Sequence, residues 1–172
     1  MEMIKDLFYK KDLKFLHFLN STIKCNALDK IFLVLTNLGS AANTVAICLL
    51  MIGIGNTFIR NVGTRALIAL TISHLIAQAL KKTVTRERPK DVLTDINTFK
   101  IPLDRYSFPS GHTTAVFAIA TTVSLYMPVL AIFILPLALL VGLSRIYLGV
   151  HYPSDVIVGM AIAVATSMVF FY

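Results

Sequence analysis

The sequence predicts an all-α, polytopic membrane helical bundle of about five transmembrane helices, preceded by N-terminal interfacial helices. Composition is the first reason: the 172 residues are 56% hydrophobic and only 15% charged, which is too apolar for an ordinary soluble domain. The second is a series of uncharged stretches long enough to cross about 30 Å of hydrocarbon. Because no Pro-, Gly- or Ser-rich linker interrupts the chain, we expect residues 1–172 to form a single membrane-embedded domain.

The transmembrane segments follow from the positions of the charged residues. Residues 41–59 predict the first span, and residues 66–80 predict the second because the polar groups on either side can reach the headgroups. The uncharged tract 111–144 would measure about 51 Å as one helix, which exceeds the hydrocarbon thickness. It must therefore fold back near Pro128 into two spans. Residues 156–172 predict the fifth.

The first 40 residues have a different pattern. Residues 28–38 are apolar but too short to span a bilayer. In residues 7–23, apolar side chains recur at helical spacing opposite basic ones, as in a helix that lies on a membrane surface. We therefore expect residues 1–40 to form interfacial helices and residues 41–172 to form the core. The apolar side chains are Phe8, Phe15, Leu16, Leu19 and Ile23, and the basic ones are Lys10, Lys11 and Lys14.

Three polar clusters stand at the ends of these spans. The predicted topology puts no crossing between the first and second clusters and two crossings between the second and third, so all three should lie on one membrane face. A single helix over residues 111–144 would instead separate them by the thickness of the bilayer. The clusters are Lys81-x6-Arg88-Pro89, Pro109-Ser110-Gly111-His112 and Ser144-Arg145-x5-His151-x3-Asp155.

Part of this set suits a phosphate group. Lys81, Arg88 and Arg145 supply positive charge, and a guanidinium can bind two phosphate oxygens at once. Ser110 and Gly111 stand where a helix is predicted to begin, and the N–H groups and dipole of a helix start favour a bound anion. The same groups would stabilise the charge that develops on the phosphoryl oxygens during transfer.

The remaining residues of the set suit covalent catalysis. Asp155 can accept the Nδ1 proton of His151, which leaves Nε2 free to attack phosphorus as a nucleophile. His112 can then protonate the leaving oxygen and later activate a water molecule. This chemistry requires neither a metal ion nor another cofactor.

Several polar residues outside the clusters remain open to two interpretations. His74 lies on one helical face with Gln78 and Lys81, and either supports the site or is hydrogen-bonded packing. Arg86 and Arg105 could assist a second phosphate or be solvated loop charges. We interpret His17 as an interfacial residue.

The three clusters resemble the signature of the type 2 phosphatidic acid phosphatase superfamily, and they match it without a departure. The resemblance covers residues 41–172. It implies metal-independent hydrolysis with His151 as nucleophile, Asp155 as its partner, His112 as acid and the other cluster residues as phosphate ligands. Many membrane members have six spans, so this chain is more similar to the short bacterial undecaprenyl diphosphate phosphatases of the bacitracin-resistance type. Apolar spans argue against the family's soluble acid phosphatases and vanadium haloperoxidases.

The expected substrate is therefore a membrane lipid phosphate, with undecaprenyl diphosphate first, and phosphatidylglycerophosphate, phosphatidic acid or diacylglycerol diphosphate as alternatives. A non-catalytic lipid-headgroup binder or transporter is a rival that does not account for the pairing of His151 with Asp155. The net charge of +7 comes mainly from bases beside apolar spans, which favours the lipid bilayer over nucleic acid as a partner. The sequence leaves the oligomeric state open.

We expect a multi-pass protein of the cell membrane. For the side of the active site, charge distribution and family resemblance point in opposite directions. With five spans, 14 of the 16 Lys and Arg residues fall on the face of the clusters, and the positive-inside rule would make that face cytoplasmic. The family resemblance favours an extracytoplasmic site, and this is the side we predict.

Overall fold

The computed structural model of the protein describes residues 2–99, 101 and 104–171, and over these residues it is helical without a β-strand. The all-α prediction is therefore confirmed. Short non-α turns over Phe18–Thr22 and Thr36–Gly39 link the first three helices. The helices are α1 Glu2–His17, α2 Asn26–Leu35, α3 Ala41–Ile54, α4 Thr57–Val84, α5 Pro89–Val92, α6 Gly111–Tyr126, α7 Pro128–Tyr147 and α8 Pro153–Val169.

The predicted fold-back of the long apolar tract is confirmed. Helix α6 ends at Tyr126, and Pro128 is the first residue of α7, where the missing N–H of proline costs no helical hydrogen bond. The two helices then pack against each other over their lengths. As a result, the start of α6 and the end of α7 lie at the same end of the bundle.

Helix α6 is the centre of the bundle and contacts α3, α4, α7 and α8. The helices approach closely because small residues line their contacts, as is common between membrane helices. Gly159 of α8 shows how close: a Cβ atom there would lie 2.8 Å from the carbonyl oxygen of Ser110. Alanines with no exposed surface fill the same core: Ala66, Ala69, Ala118 and Ala163.

The N-terminal helix packs on the bundle in a way that the sequence pattern did not indicate. Leu16 and Leu19 are buried against Tyr152 and the start of α8, whereas Phe15 is exposed. The apolar stripe is thus divided between a protein-facing side and an exposed side. The predicted helix is confirmed, and its position on a membrane surface stays a prediction.

Two helical segments are individually long and apolar enough to cross a membrane, namely Thr57–Val92 and Pro128–Tyr147. The pair Asn26–Gly39 and Ala41–Ile54 passes the same test only as one span bent by 55°. Helices α3, α6 and α8 have 14, 16 and 17 residues, or about 21 to 26 Å at 1.5 Å per residue. The topology of five spans therefore stays a prediction.

Candidate active site

The three sequence clusters meet at one end of the bundle around a cavity of about 350 Å³. Of the eight predicted site residues, Ser110 and Asp155 do not line this cavity but are fully buried. The other six line it: Lys81, Arg88, Gly111, His112, Arg145 and His151. The fold-back at Pro128 is what allows residues from α4, α6 and α7 to share this space.

Two cations on one side of the cavity hold a carboxylate between them. Lys81 Nζ donates to Asp104 Oδ2 at 2.6 Å, and Arg88 donates to Asp104 Oδ1. Arg88 also donates to the carbonyl oxygens of Tyr106 and Val150, at 2.9 and 2.8 Å. Burial alone would raise the pKa of Asp104, but the hydrogen bonds and charges of Lys81 and Arg88 hold it below its ordinary value.

Arg145 enters the cavity from the last turn of α7 and is almost fully buried. Its Nη1 donates to Thr36 Oγ1 at 2.5 Å. Among the residues that the structure describes, its Nε has no hydrogen-bond partner. A buried guanidinium with a free donor beside a cavity is suited to an anionic ligand, because the anion would satisfy the donor and offset the cost of burying the charge.

Helix α6 begins at the cavity wall. Ser110 is its N-cap, and its Oγ accepts a hydrogen bond of 2.9 Å from the Thr113 hydroxyl. The backbone N–H of Ser110 donates to the carbonyl oxygen of Asp155 at 3.0 Å, which joins the starts of α6 and α8. Gly111 and His112 follow as the first helical residues, where the N–H groups have no acceptor within the helix. The helix start therefore presents its positive end to the cavity.

His151 stands between Arg88 and Asp155. Its Nε2 lies 3.2 Å from Arg88 Nη1 and its Nδ1 lies 3.5 Å from Asp155 Oδ2. The second distance is too long for a hydrogen bond, and Nδ1 has no hydrogen-bond partner in the described part of the chain. Burial, reinforced by the charges of Arg145, Arg88 and Lys81, holds the pKa of His151 well below its ordinary value.

Asp155 is held from two other directions. Its Oδ2 accepts the backbone N–H of Tyr152 at 2.9 Å, which caps the start of α8. Its Oδ1 accepts a hydrogen bond of 2.8 Å from Arg86 Nη1. The carboxylate is therefore oriented before any ligand binds.

The cavity becomes less polar with distance from its cationic end. On α4, Gln78 lies one turn from Lys81, and its amide is 3.3 Å from His74 Nε2. Beyond them the wall is mainly apolar, with Val45, Leu70 and Leu75, and carries the hydroxyl groups of Thr44 and Thr71. The cavity can accommodate a molecule with an anionic group, a neutral polar linker and an apolar tail.

A family model for the PAP2 superfamily matches residues 63–172, which include all three clusters. The chain belongs to the PAP2 superfamily. The match covers more than half of the sequence and extends from α4 to the end of the chain, so helices α1, α2 and α3 lie outside it.

Two of the curated proteins that the chain is similar to are named as phosphatases. The chain is 35% identical to a "Lipid A 1-phosphatase" of Rhizobium johnstonii over 58% of its length and 43% of the relative. It is 33% identical to an "Undecaprenyl-diphosphatase" of Sulfolobus acidocaldarius over 58% of its length and 49% of the relative. The chain thus spans about half the length of these curated relatives. The crystal structure of Aquifex aeolicus LpxE superposes with a TM-score of 0.82 at 28% identity, covering 92% of this chain and 93% of the other.

The sequence analysis missed three residues at the site: Asp104 and Thr36 bind cluster residues, and Asp12 binds Arg86 and Ser154 beside them. Asp104 looked like a loop residue, Thr36 lay in an apolar stretch, and Asp12 lay among lysines. Of the open cases, Arg86 is partly buried and bonded to Asp155, and Arg105 is exposed beside the ring of Tyr106. The one signal that could have indicated Asp12 and Asp104 is an acidic residue directly beside a base, Lys11 and Arg105 respectively.

Proposed function

We propose that this protein is an integral membrane lipid phosphatase that removes a phosphoryl group from a membrane-held lipid phosphate or diphosphate through a phosphohistidine intermediate on His151. Membership of the PAP2 superfamily supports the class of activity. The residue roles rest on the geometry of the cavity.

The contact between Arg88 and His151 carries the mechanism. An arginine side chain has only donors, so a neutral His151 must accept through Nε2 and carry its hydrogen on Nδ1. The hydrogen then faces Asp155, and the Nε2 lone pair accepts the Arg88 N–H beside the cavity until Arg88 binds the phosphoryl oxygens instead. This is the tautomer that a histidine nucleophile requires. Asp155 needs to approach by a few tenths of an ångström from 3.5 Å to form a hydrogen bond to Nδ1.

In the first half of the reaction, His151 Nε2 attacks phosphorus while the bond from phosphorus to the leaving oxygen breaks. Lys81, Arg88 and Arg145 hold the phosphoryl oxygens, together with the start of α6 at Gly111. For the phosphate to bind, it must displace the Asp104 carboxylate from Lys81 and Arg88. Ser110 does not line the cavity and acts by capping the start of α6.

The second half returns the enzyme to its initial state. In the first half, His112 was protonated and gave its proton to the leaving oxygen, which released the lipid product and left His112 neutral. Neutral His112 then takes a proton from water as the water oxygen attacks the phosphohistidine. The bond between phosphorus and Nε2 breaks, inorganic phosphate leaves, and both histidines are as they were. Since side chains of the protein fill each role, we propose activity without metal or cofactor.

The first substrate we propose is undecaprenyl diphosphate, which would be converted to undecaprenyl phosphate. The relative named "Undecaprenyl-diphosphatase" supports this choice. The cavity is compatible with this substrate, because His74 and Gln78 can donate hydrogen bonds to the second phosphate, which joins the phosphoryl group to the apolar chain. Phosphatidylglycerophosphate and phosphatidic acid are the alternatives. We further propose a multi-pass location in the cell membrane with an extracytoplasmic site.

The test is phosphate release by the purified protein in detergent with EDTA, measured on undecaprenyl diphosphate and phosphatidylglycerophosphate in parallel. We expect turnover of the first to exceed that of the second. The variant His151→Ala should be inactive, and the matched control His17→Ala, remote from the cavity, should retain activity. Binding of these lipids without phosphate release by the wild type would support a headgroup binder or transporter instead.

A further inference from the structure

A buried carboxylate of helix α1, that of Asp12, binds the start of α8. Asp12 is 6% exposed although it lies on a lysine-rich helix. Its Oδ1 accepts the backbone N–H of Ser154 at 2.8 Å, and its Oδ2 accepts the hydroxyl of the same residue. Ser154 is in the first turn of α8, where N–H groups have no acceptor within the helix. Asp12 therefore supplies a cap to α8 from a distant part of the sequence.

The same carboxylate holds Arg86, which holds Asp155. Arg86 Nη2 donates to Asp12 Oδ2 at 2.8 Å, and Arg86 Nη1 donates to Asp155 Oδ1 at 2.8 Å. The guanidinium lies 3.8 Å above the ring of Tyr152, which fixes its plane. Because one guanidinium bridges two buried carboxylates, the loss of either would remove one of the contacts that set its position; the others are Tyr152 and Ser154 Oγ, to which Nη1 donates at 2.7 Å.

Asp155, held in this way by Arg86, contacts His151. With Oδ1 bound to Arg86, the other oxygen of Asp155 faces the backbone N–H of Tyr152 and Nδ1 of His151. Apolar contacts support the arrangement, since Leu16 and Leu19 of the N-terminal segment pack beside Tyr152. A continuous series of contacts thus runs from Asp12 through Arg86 and Asp155 to His151.

We infer that Asp12 is a positioning residue for catalysis, which orients His151 by holding Arg86 and Asp155 in place. This role rests on the proposed function of His151. It extends the working site to helix α1, which lies outside the segment matched by the family model. Asp12 touches neither the cavity nor the phosphoryl group, so its effect should appear in turnover rather than in substrate binding.

The experiment compares Asp12→Asn with Asp95→Asn, whose carboxylate is exposed and pairs with His17 at 3.7 Å. Asparagine keeps the size of the side chain and one acceptor for Ser154 but removes the charge that holds Arg86. We expect kcat of Asp12→Asn to fall about 10-fold to 100-fold, the range for loss of an outer-shell partner. We expect KM to change less than about twofold because Lys81, Arg88 and Arg145 are untouched. Asp95→Asn should match the wild type in both.

A second readout does not depend on turnover. In protein labelled with ¹⁵N-histidine, the ring signals of His151 should indicate a hydrogen on Nδ1 in both proteins, because Arg88 is untouched. In Asp12→Asn the Nδ1 signal should shift, because Asp155 is no longer held in place beside it. A wild type without phosphatase activity would contradict the proposed function. The His151 signals would still test the positioning role, because they do not depend on turnover. Unchanged His151 signals in folded Asp12→Asn would overturn the inference.

A double-mutant cycle tests the route through Arg86. If Asp12 acts through this guanidinium, Asp12→Asn should add little to the loss of kcat caused by Arg86→Gln. Fully additive losses would contradict the inference, since they would mean that the two residues act independently. Circular dichroism of each variant establishes that the helices are retained.

Discussion

The charge state of His151 is the residue-scale feature on which the proposed chemistry depends. A protonated imidazole has no lone pair for attack on phosphorus. Burial is the main cause that lowers the pKa of His151, and Arg145, Arg88 and Lys81 act in the same direction. An imidazole in water has a pKa of about 6.5. The neutral form of His151 should therefore persist below that pH.

A pH titration of free protein tests this electrostatic cause. The acidic fall of kcat/KM that belongs to His151 should lie well below about pH 6.5. The variant Arg145→Gln removes a charge that disfavours the imidazolium, so the pKa of His151 should rise and the acidic fall should move to higher pH. The exposed Arg105→Gln serves as the control and should leave it unchanged. A shift of the fall to lower pH in Arg145→Gln would contradict the assignment; ¹⁵N signals of His151 give the same answer without substrate.

The role of His112 can be separated from that of His151 by the leaving group. A lipid alkoxide needs a proton as it departs, whereas 4-nitrophenolate does not. If His112 is the acid, His112→Ala should lose about 10² to 10⁴ in the rate of phosphohistidine formation with a lipid monophosphate. With 4-nitrophenyl phosphate the loss in this step should be much smaller. Rapid-quench trapping of the phosphorylated enzyme measures it, and equal losses with both substrates would exclude His112 as the acid.

At the scale of elements, the site depends on how closely α8 lies against α6. The backbone N–H of Ser110 donates to the carbonyl oxygen of Asp155, so the helix start that faces the phosphate and the carboxylate behind His151 are joined. Gly159 permits this approach, because a Cβ atom would also lie 3.0 Å from Thr114 Oγ1. Neither partner is the end of a flexible side chain that could easily move away.

Gly159→Ala should therefore separate the two helices. We expect the free energy of unfolding to fall by about 1–3 kcal/mol, as for other overpacked contacts, and kcat to fall with it. Gly53→Ala is the matched control, because a Cβ atom at that position meets nothing within 4 Å. It should change stability by less than about 1 kcal/mol. Unfolding in detergent measures both variants, and a Gly159→Ala protein as stable and active as Gly53→Ala would contradict this interpretation.

The sequence predicted those elements and site residues whose positions follow from local rules. The fold-back needed only a tract longer than the bilayer and Pro128, and the fold-back in turn placed His112 and His151 at one end. Asp104 and Asp12 were not predicted, because each reaches the site through a tertiary contact that no helical period indicates. Leu16 and Phe15 show the same limit: an amphipathic pattern identifies an apolar face but not whether protein or lipid covers it.

At the scale of the whole molecule, the distribution of positive charge bears on the orientation in the membrane. At the end of the bundle away from the site, Arg65 donates to the carbonyl oxygen of Phe170 at 2.6 Å, near the end of α8. At the site end, Lys81, Arg88 and Arg145 line the cavity and Arg86 is bound to carboxylates. These four bases have local roles in the site. The excess of basic residues at this end is therefore weaker evidence for a cytoplasmic side than the number of bases suggests.

Cysteine labelling in intact cells decides between the two orientations. In a Cys25→Ser background, which removes the exposed native thiol, Thr94→Cys places an exposed thiol in the loop beside the site, and Thr57→Cys places one at the opposite end of α4. With an extracytoplasmic site, a membrane-impermeant maleimide should label Thr94→Cys but not Thr57→Cys, and both should react after lysis. The reverse pattern would place the phosphatase cavity in the cytoplasm, where the positive-inside rule alone would put it. In that case lipid phosphates would have to reach the cavity from the inner leaflet, because the labelled positions lie at opposite ends of α4, which is long and apolar enough to cross a membrane.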